Sequence, residues 1–144
     1  MRYVDGFVIP VPKRKLAAYR RMAQTAGKVW RDHGALEYVE SVGDDVKPGK
    51  HTSFPQSVKL KSGETVVFAY VVYKSRAHRD RVNAKVMKDK RLAKMMDPKT
   101  MPFDGKRMFW GGFKVLVDAR PSVIELAKAR AACLDASAPF SKKR

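Results

Sequence analysis

The sequence predicts an α+β fold, in which a four-stranded antiparallel sheet carries two helices on one face in the ferredoxin-like order βαββαβ. Three observations predict it. Four stretches rich in β-branched and aromatic residues are divided by turn residues. Apolar residues at helical spacing follow the first and the third of these stretches. The third strand is apolar on both faces, so it needs cover on both sides of its sheet.

The first strand is "YVDGFVIPV", stopping at Pro12. Beyond Lys13, Leu16, Tyr19, Ala23, Ala26 and Trp30 recur at helical spacing, with Met22 and Val29 widening the stripe and Gly34 closing the helix. A second strand runs from Leu36 to Val42 and is closed by "GDD". The third, "ETVVFAYVVY", presents Val66, Phe68, Tyr70 and Val72 on one face and Val67, Ala69 and Val71 on the other. Ser75 is suited to cap the second helix, in which Val82 and Val86 point inward; Leu92, Met95 and Met96 extend it until "DP" breaks it. Residues 107–117 form the fourth strand. Since two helices cover one face only, a second copy of the sheet is the simplest cover for the other.

The 144 residues suffice for one domain with a core of its own. Residues 1–118 form that domain, and residues 119–144 form a basic tail with a short helical pattern. No apolar run is long enough to span a bilayer, and the opening "MRYVDGFVIPVPKRK" lacks a signal-peptide cleavage site. The lone Cys133 allows no intramolecular disulfide, which suits the cytoplasm. The net charge of +17 divides into +13 before residue 119 and +4 after it. Charge of this size attracts phosphate backbones, and it also serves solubility alone.

Several motifs together resemble those of the YbaA-like family of uncharacterised bacterial proteins. They are "YVDGF" near the start, "GAL" and "GDDV" around the second strand, "NAKVM" on the second helix, and "MPFDGKRM" followed by "GGF". The resemblance covers residues 2 to 118. It implies a dimeric α+β barrel, two ferredoxin-like sheets face to face, and hence a homodimer. It implies no reaction, because distant barrel proteins include cofactor-free monooxygenases, haem enzymes and small-molecule binders.

The segment "MPFDGKRMFWGGF" poses a choice between a phosphate-cradling loop and a turn feeding a strand. A phosphate loop needs a helix N-terminus after its glycines. Here "FWGGFKVLVDA" continues as strand, so Gly111 and Gly112 mark a bulge or a close approach by the partner chain or a ligand. Asp104 belongs to the preceding turn. Asp5 shares a strand face with Tyr3, Phe7 and Ile9, and Glu40 shares one with Tyr38 and Val42. A buried carboxylate needs a partner or turns into a usable base, and Lys106 and Arg107 are the partners expected for these two. With Tyr38 and Tyr70 these residues make up a candidate pocket for a small molecule. Residues 43–63 form a long connection whose His51, Phe54 and Gln56 suit either a lid over that pocket or a dimer-contact arm.

His33, His51 and His78 show no zinc spacing, and Asp44 and Asp45 offer too few oxygens for calcium, so no metal is expected, and no cofactor. Arg76, Arg79, Arg81, Lys85, Lys88, Lys90, Arg91 and Lys94 crowd the second helical segment and are the candidate nucleic-acid contacts, with Arg81, Lys85 and Lys88 able to share a face.

Overall fold

The computed structural model describes residues 1–137. Strands β1 (Tyr3–Pro12), β2 (Glu37–Val42), β3 (Glu64–Tyr73) and β4 (Phe109–Lys114) form one antiparallel sheet in the order β2-β3-β1-β4. Helix α1 (Leu16–Asp32) links β1 to β2, and α3 (Arg76–Met87) with α4 (Lys90–Met95) links β3 to β4. The longest ladder joins the central strands, from Tyr3 opposite Tyr73 to Pro12 opposite Glu64. This is the predicted βαββαβ arrangement. Helices α3 and α4 begin where side chains satisfy the free N–H groups. Ser75 accepts from the His78 amide to start α3, and Asp89 accepts from Arg91 to start α4.

The expected single second helix is therefore two. Asp89 stops α3 and caps α4, and its carboxylate also meets His33 at 2.8 Å and the Arg91 guanidinium at 2.8 Å. Arg91 reaches on to Asp32 at 2.8 Å, so this cluster staples α4 to the end of α1. The fourth strand is shorter than the expected 107–117, because residues 104–107 are taken up by a turn in which the Arg107 amide donates to the Asp104 carbonyl.

Strand alternation assigns the two faces. Tyr3, Ile9 and Val11 of β1 and Val67, Val71 and Tyr73 of β3 point toward the helices, where they pack with Tyr19, Val29, Val82 and Val86. Each such fully buried aliphatic or aromatic side chain is worth about 1.5–3 kcal/mol. Two glycines permit this layer to close. A Cβ at Gly27, midway along α1, would stand 2.9 Å from the Tyr38 ring, and one at Gly112 would stand 2.2 Å from the Tyr3 hydroxyl.

The opposite face carries no helix of the βαββαβ core. Residues 54–60, including the short helix α2 (Phe54–Ser57), cover one end of it: Val58 and Leu60 pack on Val8 and Val66, and Phe54 meets Phe68 edge-on at 5.9 Å. Phe68, Phe109 and Phe113 remain 43%, 47% and 62% exposed. The final helix α5 (Val123–Ala136), capped by a Ser122–Glu125 box, buries none of its residues.

Candidate functional site

A cleft of about 1020 Å³ runs between the sheet and the helices, on the face where the alternation of β1 places Asp5, Phe7 and Ile9. Ala69 lies opposite Phe7 in the floor and is the smallest residue there. The aromatic walls include Phe7 stacked on Trp110 at 6.0 Å, Tyr19 edge-on to Phe103 at 5.6 Å, and Trp30 beside Tyr38 at 5.9 Å. Six of the seven methionines line the cleft, namely Met22, Met87, Met95, Met96, Met101 and Met108. Unbranched thioethers adapt to ligands of irregular shape. Met87 and Met96 are also exposed, so the space is an open cleft rather than a sealed chamber.

Four carboxylates line this apolar space, Asp5, Glu40, Glu64 and Asp104. Asp5, on the inner strand β1, is 1% exposed. The Arg79 Nη1 approaches its Oδ1 to 3.7 Å, too far for a hydrogen bond, and Oδ1 has no other hydrogen-bond partner. Burial pushes the Asp5 carboxyl above its ordinary value of 3.8, with Arg79, Tyr73 and Asn83 opposing that rise. Around it, Trp30 Nε1 donates to the Tyr73 hydroxyl at 3.1 Å and to Asn83 Oδ1 at 3.2 Å, and Tyr73 donates to the same Asn83 oxygen at 3.1 Å. Arg79 is held in place by Tyr3, donating to its hydroxyl at 3.2 Å.

Glu40 is in a different condition. It accepts hydrogen bonds from the Tyr38 hydroxyl at 2.7 Å and from the Tyr19 hydroxyl. Burial, and then the Glu40 charge, raise both phenols well above their usual range, so they remain donors. Glu40 is thus a satisfied acceptor, whereas Asp5 keeps one oxygen without a hydrogen bond.

The expected pocket residues divide accordingly. Asp5, Tyr38, Glu40, Asp104, Lys106 and Arg107 line the cleft. Tyr70 does not, since it shares the helix-free face with Phe68, and neither do Gly111 and Gly112. Gly112 is pressed against Tyr3, and Gly111 lies under the Phe113 ring at ordinary contact distance. The expected pairing of the carboxylates with Lys106 or Arg107 is replaced. Arg107 donates to Glu64 through both terminal guanidinium nitrogens and to the Val58 and Lys59 carbonyls through Nη2. The Asp104 carboxylate accepts from the Lys106 amide and builds the turn. Residues 54–58 pack on the helix-free face, so Phe54 and Gln56 form no lid over the cleft.

Arg79, expected among the nucleic-acid contacts, is instead the ion-pair partner of Asp5. The signal was present: Arg79 lies three residues before Val82 and seven before Val86, and Asn83 three before Val86, on the inward face of α3. Arg91 is likewise engaged by Asp32 and Asp89, while Arg76, Arg81, Lys85, Lys88, Lys90 and Lys94 are exposed. Among the described residues no three His, Cys, Asp or Glu side chains converge as a metal site, and no helix is long and apolar enough to cross a membrane.

The sequence model of a family described as protein of unknown function (DUF1428) matches residues 2–105. The chain belongs to this family. The uncharacterized protein YbaA of Escherichia coli K12 is 46% identical over 118 residues, covering 82% of this chain and 99% of the relative, and the YbaA of Shigella flexneri matches equally. Among solved structures, the de novo designed protein Foldit4 aligns with a TM-score of 0.44 at 11% identity, over 80% of this chain and 99% of the other. SnoaB, a cofactor-independent oxygenase from Streptomyces nogalater, aligns with a TM-score of 0.41 at 13% identity, over 83% and 98%. These scores are too low to carry chemistry across.

The raised Asp5 pKa has a testable consequence. A carboxyl that binds its proton more tightly when folded stabilises the fold fully below pH 3.8 and loses that contribution as pH rises through the folded value. The stability difference between wild type and Asp5→Asn, measured by urea unfolding, should therefore move against wild type as pH rises from about 4 toward neutrality. Movement in the opposite direction would mean that Arg79 holds Asp5 ionised.

Proposed function

We propose that the protein binds an apolar small molecule in the cleft between sheet and helices, with Asp5 as the group that receives the ligand's hydrogen-bond donor. The carrying observation is the buried Asp5 oxygen without a hydrogen-bond partner in an apolar cleft of about 1020 Å³, close to the size of small-molecule sites. Where the ligand bears an acidic proton, Asp5 serves as a general base without a cofactor, since burial makes its carboxylate a stronger base than an exposed one. Cytoplasmic residence accords with the lone Cys133.

The assembly belongs to the same proposal. A second copy seated on the helix-free face would cover Phe68, Phe109 and Phe113, which otherwise form an exposed apolar surface. A second reading, nucleic-acid binding, is favoured by the net charge of +17 and by the six exposed cations of α3, α4 and the turn between them.

Three measurements separate these readings. Screening neutral aromatic and aliphatic compounds by thermal shift should yield ligands that raise the melting temperature of wild type, with the rise reduced in Asp5→Asn and less affected in Glu40→Gln. Failure of every compound to stabilise wild type would count against the cleft. Sedimentation at micromolar concentration should give about twice the 16.3 kDa chain mass, and Phe68→Asp should dissociate or aggregate the protein; a folded monomeric wild type would remove the dimer. For nucleic acid, log affinity should fall with log salt by about 0.7–0.9 per phosphate neutralised. Charge reversal at Arg81, Lys85 and Lys88 should flatten that slope, and absence of RNA and DNA binding at low salt would end the reading.

A further inference from the structure

The cleft has two chemically different ends. At one end of the central strand lies Asp5, and at the other Pro12 stands opposite Glu64. Pro12 lies seven steps along the strand from Asp5, about 23 Å at the usual rise of a strand. The site is therefore long as well as apolar.

Three segments converge on the Glu64 end. The Lys13 amide donates to the Gly63 carbonyl, which brings the start of α1 beside the entry to β3. The Lys61 amide donates to the Glu64 carboxylate at 2.7 Å, and Arg107 clasps the same carboxylate. Each segment sets one exposed lysine on the cleft wall: Lys15, Lys61 and Lys106. None of the three is in an ion pair among the described residues. Glu64 is neutralised by Arg107, and the Asp104 carboxylate accepts from the Lys106 amide. The rim thus keeps a positive balance beside an apolar groove.

We infer that the ligand is an elongated amphipathic anion, with a carboxylate or phosphate head at the Lys15–Lys61–Lys106 rim and a largely apolar body that runs along the methionine-lined groove to a hydrogen-bond donor beside Asp5. The inference rests on the small-molecule reading of the cleft and names the class of molecule. A lysine ammonium at an exposed rim holds an anion without burying an unpaired charge. The apolar body gains from leaving water in proportion to its length.

Titration calorimetry on the full chain, with probes kept below their micellar concentrations, tests it. Dodecanoate and dodecyl phosphate should compare the two head groups, dodecanol the neutral body, and dodecyltrimethylammonium the opposite charge. At least one anion should bind about tenfold or more tighter than dodecanol, about 1.4 kcal/mol, and the cation should bind more weakly than either. Changing Lys15, Lys61 and Lys106 together to Gln should bring the anion down to the dodecanol affinity while leaving dodecanol unchanged. The three single changes, each lowering anion affinity, replace the triple variant if it does not fold.

Equal binding of dodecanol and both anions would overturn the head-group assignment and leave the cleft reading intact. Binding by none of the four, alongside an Asp5-dependent library ligand, would overturn this inference alone. Silence from both sets would overturn the two together.

Discussion

Asp5 sits where a sheet protein would ordinarily place a valine, and the arrangement of the helix layer follows from accommodating it. An unpaired ionised carboxylate in an apolar interior costs several kcal/mol. The chain responds with Arg79 from α3, held by the Tyr3 hydroxyl, and with a polar cluster of Trp30, Tyr73 and Asn83. These groups come from α1, α3 and both central strands. The docking of α1 and α3 on the sheet is therefore set by polar geometry as well as by the packing of Val29, Val82 and Val86. The compensation is incomplete, since one oxygen of Asp5 has no hydrogen bond. A fold that leaves such an atom unsatisfied is the kind in which a ligand has something to complete.

The sheet also divides the molecule into two sides with different demands. Odd-numbered residues of β1 from Tyr3 to Ile9 face the helices, and Val4, Gly6 and Val8 face the helix-free side. The two apolar faces of "ETVVFAYVVY" already announced this division, because a strand apolar on both sides calls for cover on both. The strand order was legible for the same reason. Alternation and helical periodicity are local properties, and β1, α1, β2 and β3 each satisfy them cleanly. The break between α3 and α4 was harder to read, because the apolar positions Val86 and Leu92 bridge it. What ends α3 is the side chain of Asp89 capping the next turn, an event that periodicity does not register.

The site was legible in its carboxylates and not in their partners. Asp5 and Glu40 stood out as charged residues on apolar strand faces, which a sequence displays directly. Their partners come from helices, and pairing across layers depends on helix rotation. Arg79 was therefore grouped with its basic neighbours, although its spacing from Val82 and Val86 turned it inward. Lys106 and Arg107 were nearer in expectation than in fact, since the turn at Asp104 carries them to the Glu64 end of the sheet. Tyr19 offered no polar signal at all. Its place in the apolar stripe of α1 is correct, and only the three-dimensional fold brings its hydroxyl to Glu40.

Six thioethers surrounding one cleft also give the protein a chemical vulnerability that its fold does not otherwise reveal. Methionine converts to its sulfoxide under mild oxidants, turning an apolar, flexible side chain into a polar, chiral one. Met87 and Met96 are both exposed and both line the cleft, so reagent would reach them first. Peroxide stress would then alter the solvent character of the groove while leaving the valine-rich layer beneath it unmodified. Methionine sulfoxide reductases reverse the change, so the affinity of this surface for apolar matter would follow the oxidative history of its surroundings.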